Sequence, residues 1–304
     1  MKPVTKMIFT DDNGIKFFGE GPLRLLRCVE RTGSLRSAAM EMEMAYSKAI
    51  RLLKQAEHNL GFPLTTRSAG GKDGGGSRLT PEGARFLGQY EAYRDACIAS
   101  NQALYRQFFP EIGCVIMASG LGKRFGGNKL MADFHGRPMI QRALGATEGL
   151  FTHRVVVTRH ESVAALCREQ DVDVVLHDLP NRNDTVRLGL EALGDVDACM
   201  FLPGDQPLLR RETVALLLEH WKAEPEKIVR PACDGHAGSP VLFPAWAFPE
   251  LLALPEGKGG GAVIQNHPNA VRHITIADPF ELADADTPEM LETLRGLCHD
   301  QETK

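Results

Sequence analysis

Residues 114–118, Cys-Val-Ile-Met-Ala, run without a charge into Ser119-Gly120-Leu121-Gly122, and residues 120–129 then hold four glycines and three cations. An uninterrupted apolar run of this length is the mark of a strand buried on both faces. Glycines directly after it let the backbone turn sharply and bring its N–H groups against a phosphate chain. Arg124 and Lys129 add charge and directed donors for the same oxygens. Two better-known phosphate loops fit badly. A dinucleotide fingerprint needs glycine at 125, where Phe125 stands, and no G-x-x-x-x-G-K-S/T spacing occurs.

Beyond residue 113 apolar strands alternate with amphipathic helices. Strands are expected at 114–118, 154–158, 172–176, 198–202, 227–230 and 271–276, and helices at 138–150, 162–170, 185–193 and 212–222. That alternation predicts an α/β fold, Rossmann-like and three-layered, with a mostly parallel sheet covered on both sides. The fourth strand delivers Pro203-Gly204-Asp205-Gln206-Pro207. An acidic side chain at the carboxyl end of a parallel strand stands where such sheets bind ligands. Mg²⁺ asks for one or two carboxylates and takes phosphate oxygens for the rest, so Asp205 suits it; a turn or capping role is the alternative.

Residues 117–130 resemble the signature of nucleotidyltransferases of the molybdopterin-cofactor (MobA/MocA-like) type, A-[AGS]-G-x-[GS]-x-R-[MF]-G-x-x-K-[LP], nearly position for position. The resemblance runs to the C-terminus. It implies that Ala118, Ser119, Gly120, Leu121, Gly122, Arg124 and Lys129 bind the nucleotide, that Arg124, Lys129 and Asp205 are catalytic, and that Asp205 holds Mg²⁺. The later stretch Asp284-Ala285-Asp286-Thr287-Pro288-Glu289 matches the family's D-[IV]-D-T-P-E, making Asp286 a second metal ligand or the cap of a helix begun by Pro288. Gly238-Ser239-Pro240 and Lys258 correspond to the acceptor pocket and the glycine segment beside it, while Asp184 reads as a helix cap. In this family CMP or GMP passes from CTP or GTP to molybdopterin, and Ala118-Ser119-Gly120 stands nearer the CTP-using pattern.

The first hundred residues read differently. Helical spacing is present at 21–31, 35–42 and 45–60, Ser34 can cap the second helix, and a glycine-tipped hairpin at 64–80 precedes a long helix opened by Pro81. The second and third helices have the spacing of a helix-turn-helix, with Tyr46, Ser47, Lys48 and Arg51 on the outer face and Arg67, Lys72 and Arg78 on the wing. Residues 21–93 resemble the DNA-binding domain of molybdate-responsive (ModE-like) regulators. Glu41, Glu43 and Glu57 place acid close to this surface.

Charge follows the same division: residues 1–100 carry 15 Lys/Arg against 11 Asp/Glu, and residues 101–304 carry 20 against 28. A winged helix-turn-helix domain at 1–110 and a transferase domain at 111–304 are therefore expected. Seven scattered cysteines without a C-x-x-C pair argue against disulfides and structural zinc. No run is long enough to span a bilayer, so a cytoplasmic protein without a membrane partner, and a homodimer, are the expectation. The first functional reading is an enzyme with a DNA-binding front end. The alternatives are a molybdenum-related transcription regulator whose back half only senses nucleotide or cofactor, and transfer to a sugar phosphate.

Overall fold

In the computed structural model the described residues are 3–67 and 76–299, and the chain divides into two compact units, Met1–Phe108 and Phe109–Lys304.

The first unit opens with an antiparallel hairpin of β1 (Ile8–Thr10) and β2 (Lys16–Gly19), which the sequence pattern did not announce. Helix α1 (Glu20–Thr32) ends at Gly33, whose φ of 68° is the left-handed conformation that glycine adopts at no steric cost. Helix α2 (Leu35–Glu41) begins with the Ser34 hydroxyl accepting from the Ser37 amide, the cap foreseen from sequence. Helix α3 (Tyr46–Leu60) follows after a short turn. Strands β3 (Thr65–Arg67) and β4 (Ser77–Leu79) pair antiparallel as the stem of the wing, and its tip, with Lys72, lies outside the described residues. Helix α4 (Pro81–Phe108) is 28 residues long, about 42 Å at 1.5 Å per residue. Leu26, Val29, Ala38, Leu53, Leu87 and Tyr90 make the centre of one apolar core. The Tyr90 hydroxyl is satisfied by donating to the Met7 carbonyl at 2.8 Å.

The second unit is the expected three-layer α/β domain. In chain order it has β5 (Ile112–Ala118), the short pair β6 (Asp133–Phe134) and β7 (Arg137–Pro138), α5 (Ile140–Thr147), β8 (His153–Thr158), α6 (Glu161–Glu169), β9 (Asp173–Leu176) and α7 (Arg182–Leu193). Then come β10 (Ala198–Pro203), α8 (Arg211–Ala223), β11 (Ile228–Cys233), β12 (His236–Ala237), β13 (Val241–Pro244), α9 (Phe248–Leu252), α10 (Gly261–Asn266), β14 (Val271–Thr275) and α11 (Pro288–His299). The sheet order is β9-β8-β5-β10-β13-β11, with β12 and β14 both paired to β11. Strands β9, β8, β5 and β10 are parallel, whereas β13 is antiparallel to both neighbours. Strand β13 has no counterpart among the strands expected from sequence.

Alternation along β5 divides the core between the two faces of the sheet. Cys114, Ile116 and Ala118 pack with residues of α5, α6 and α8, and Val115 packs with Val186 and Leu190 of α7. Helix α7 lies close because Gly189 faces the sheet: a Cβ there would stand 2.6 Å from Val115. The chain leaves β5 toward β8 on one side and returns to β10 on the other. The carboxyl ends of β5 and β10 therefore border the switch-point crevice in which such sheets bind ligands.

Candidate active site

The glycine segment leaves β5 tied to its neighbours. Thr158 donates to the Ala118 carbonyl at 3.0 Å, Ser119 Oγ donates to the Val157 carbonyl at 3.0 Å, and the same oxygen lies 2.8 Å from His177 Nε2. Burial pushes the His177 imidazole toward its neutral form. His160 Nε2 stands 2.9 Å from the Gly120 carbonyl. The segment then turns back on itself, with the Phe125 and Gly126 amides both donating to the Gly122 carbonyl at 2.9 and 3.0 Å. Gly122 sits at φ 58° with the Gly127 oxygen 2.2 Å from where a Cβ would be, so no side chain fits there. Lys129 opens a short 3₁₀ turn and is only 8% exposed.

Across the crevice, β10 ends in Gly204-Asp205, and the Gly204 amide donates to the Met117 carbonyl at 3.0 Å. The Ala285 amide donates to the Asp205 carbonyl at 2.9 Å, which brings Asp286 alongside. The Lys129 ammonium contacts the Asp205 carboxylate and lies 2.8 Å from Asp286 Oδ1; Arg124 Nη1 lies 3.1 Å from Asp286 Oδ2. Burial alone would lower the Lys129 pKa, but the two carboxylates outweigh it and the net shift is upward. The Lys129 hydrogen bond in turn holds the Asp286 carboxyl below the ordinary carboxylate range. Asp284 moves the other way, raised first by burial and then by the charge of Asp205. Gln206 holds Asp284 through its amide nitrogen at 3.0 Å.

These groups face a cleft of about 610 Å³ that also takes in Ser119, Gly120, Leu121 and Gly122; Ala118 stays buried behind it. A second cleft of about 490 Å³ adjoins it, lined in part by Phe201, Phe243, Lys258 and Gln265. Met117, Arg182, Pro203 and Ser239 belong to both walls. Gly238 and Pro240 line neither. The Gly238 carbonyl accepts two hydrogen bonds from the Arg230 guanidinium at 3.0 and 2.9 Å, and Pro240 is buried behind a cis peptide. Asp184 forms a capping box with Asn181 at the start of α7. Sequence reasoning did not single out Arg182, Arg230, Gln206 or His177. Of these, Gln206 stands next to Asp205 in the stretch that ends the fourth strand, and Arg182 lies two residues before the capping Asp184.

In the first unit Tyr46, Ser47, Lys48 and Arg51 are exposed on α3, and Arg67 and Arg78 are exposed on the wing stem. The Arg36 guanidinium lies 5.8 Å from the Tyr46 ring centre. Two of the acidic residues near this face are occupied. Glu57 accepts the Leu64 and Thr65 amides at 2.8 and 3.2 Å, and Glu41 pairs with Arg31.

Residues 114–271, more than half of the chain, match the MobA-like NTP transferase domain. The chain belongs to that family. Residues 22–84 match the bacterial regulatory helix-turn-helix proteins of the lysR family. Over 118 residues the chain is 27% identical to a probable molybdenum cofactor guanylyltransferase of Aquifex aeolicus, covering 38% of this chain and 57% of that one. Over 70 residues it is 37% identical to the molybdenum transport protein ModE of Azotobacter vinelandii, covering 23% and 26%. The chain thus spans between about a quarter and just over half the length of the curated relatives it matches. A nucleotidyl transferase from Methanothermobacter thermautotroptrophicus shares the fold, with a TM-score of 0.54 and 21% identity over 64% of this chain and 99% of that one. The MobA-like chain carries no helix, among the described residues, long and apolar enough to cross a membrane.

Proposed function

We propose that the C-terminal unit moves a nucleoside monophosphate, CMP in preference to GMP, from the triphosphate to molybdopterin. The observation that carries this reading is the meeting of Lys129, Arg124, Asp205 and Asp286 beside a glycine-formed backbone cradle. An oxygen of the acceptor's phosphate forms a bond to the α-phosphorus. The bond from that phosphorus to the bridging oxygen breaks, and pyrophosphate leaves with the electron pair. A phosphate monoester is ionised at neutral pH, so the step needs positioning and charge neutralisation more than a base. Amides of residues 119–122, with Arg124 and Lys129, hold the leaving pyrophosphate.

Asp205 and Asp286 suit a Mg²⁺ ion because they already share one cation, the Lys129 ammonium. Among the described residues no group of three or more His, Cys, Asp or Glu side chains is placed to hold a metal, so a Mg²⁺ ion held by Asp205 and Asp286 would draw its other ligands from phosphate oxygens and water. When bound, Mg²⁺ supplies Lewis-acid charge neutralisation at the transferred phosphoryl group. The preference for CTP rests on Ala118-Ser119-Gly120, whereas the Aquifex relative is named for guanylyl transfer. The test is incubation with each triphosphate, Mg²⁺ and molybdopterin, with pyrophosphate and dinucleotide measured. Binding of nucleotide without pyrophosphate release points to a sensor, and product from GTP alone reverses the nucleotide assignment.

The first unit binds DNA through α3 and the wing, supported by four exposed residues in the first turns of α3 and two arginines on the wing stem. Retention on DNA that falls steeply with salt is the expected result. No retention by the full chain at low salt overturns it.

A further inference from the structure

Four residues are common to the walls of both clefts, and among the described residues Arg182 is the one of them that carries a charge. Its guanidinium is exposed, and no hydrogen bond or ion pair holds it among the described residues. Of the other cations, Lys129 and Arg124 are committed to Asp286, Arg159 to the Asp178 carbonyl and Arg230 to the Gly238 carbonyl, while Lys123 and Lys258, which have no such partner among the described residues, each line one cleft only. The backbone around Arg182 is held in place. On one side Asn181 Nδ2 donates to Glu256 at 2.8 Å, and on the other the Gly257 amide donates to Asn183 Oδ1 at 3.0 Å. The segment at 256–261 is thereby latched to the start of α7, and Gly259 makes room for the arginine. A Cβ at Gly259 would stand 3.0 Å from Arg182 Nε and 3.2 Å from Cδ.

A cation kept free of partners at the boundary of two adjoining clefts suits an anion that must be presented from one to the other. Resting on the transfer reading above, we infer that Arg182 binds the acceptor's phosphate and aligns it with the α-phosphorus in the neighbouring cleft. A guanidinium offers a planar fork matched to two phosphate oxygens, which an ammonium does not. Ser239, the other polar side chain shared by both walls, is a second donor for the same group. The triphosphate has its own cradle in Arg124, Lys129 and the loop amides, so its affinity is independent of Arg182.

The test uses the full chain as wild type, R182Q and R182K. Equilibrium binding of CTP and GTP with Mg²⁺ stays within about twofold in all three, while the KM for molybdopterin in pyrophosphate release rises roughly tenfold or more in R182Q. R182K, with charge but no fork, falls between. An unchanged KM in R182Q overturns the inference, as does an equal loss of triphosphate binding. If the wild type releases no pyrophosphate, the transfer reading fails by itself. Direct titration with molybdopterin then decides for Arg182: roughly tenfold weaker binding by R182Q upholds it, and equal binding or none by the wild type overturns it.

Discussion

The two units hold their cations in opposite ways. On α3, Lys48 and Arg51 stand in water, and two of the three acids beside them are turned to other work: Glu57 holds the first residues of the wing and Glu41 pairs with Arg31. At the carboxyl ends of β5 and β10, Lys129 is buried and shared by two carboxylates. Exposed charges attract any polyanion and are screened within about 10 Å at 0.1 M salt. Buried, paired charges are fixed before a ligand arrives and lose nothing to reorganisation. On the proposed function, the difference separates a surface that tolerates many phosphates from a site that accepts one geometry.

Four measurements break or sharpen this comparison. The largest effect is expected from Asp205→Asn, which should lower pyrophosphate release by roughly two to three orders of magnitude with the circular-dichroism spectrum unchanged; release at the wild-type rate would remove Asp205 from the chemistry. Glu57→Ala should cost the first unit about 1–3 kcal/mol, because two backbone amides lose a charged acceptor. Hydrogen exchange at Leu64 and Thr65 reads this locally, and unaltered exchange there would return Glu57 to the list of acids opposing DNA.

Arg51→Ala should weaken DNA retention a few-fold on every sequence and flatten the log–log salt dependence by about one ion. A loss confined to one sequence would make Arg51 a base reader instead. The smallest effect is the pH dependence of the Lys129–Asp286 pair. Asp286 is depressed in the folded state, so its contribution is present above the unfolded carboxylate pKa, about 3.9, and is lost as pH falls through the folded value. Lys129 is raised, so its share is lost only as pH rises through the folded lysine value. With the Asp286 side chain 46% exposed, Asp286→Asn should differ from wild type by about 1 kcal/mol or less at pH 7. Denaturant melts of the two should coincide near pH 2; a gap persisting there would assign the effect to packing.

Strand and helix placement after residue 113 was legible because a two-sided buried strand and an amphipathic helix leave different periods in the chain. The four parallel strands lie within a few residues of their expected positions. The β1–β2 hairpin was hidden because its burial comes from packing under α1 and α4, not from its own alternation. Strand β13 was hidden for a different reason: it is only four residues long and ends in Pro244, too short a run to read as a buried strand.

Local chemistry alone, meaning which residues are flexible, charged or apolar and in what order, determined that the chain holds an α/β domain with a glycine loop after its first strand, preceded by a helix-turn-helix domain. It also named Arg124, Lys129 and Asp205 as residues to watch, and the family resemblance added Asp286. Their convergence was decided by tertiary structure. Asp286 lies 157 positions from Lys129 along the chain, and such a pairing exists only once the sheet has brought the ends of β5 and β10 together. The same holds for Arg182, an ordinary exposed arginine in the sequence, which acquires its place between two clefts from the asparagine ties that fold the glycine segment against α7. Short-range preferences specify elements, whereas the distances that make a site are set by how those elements pack.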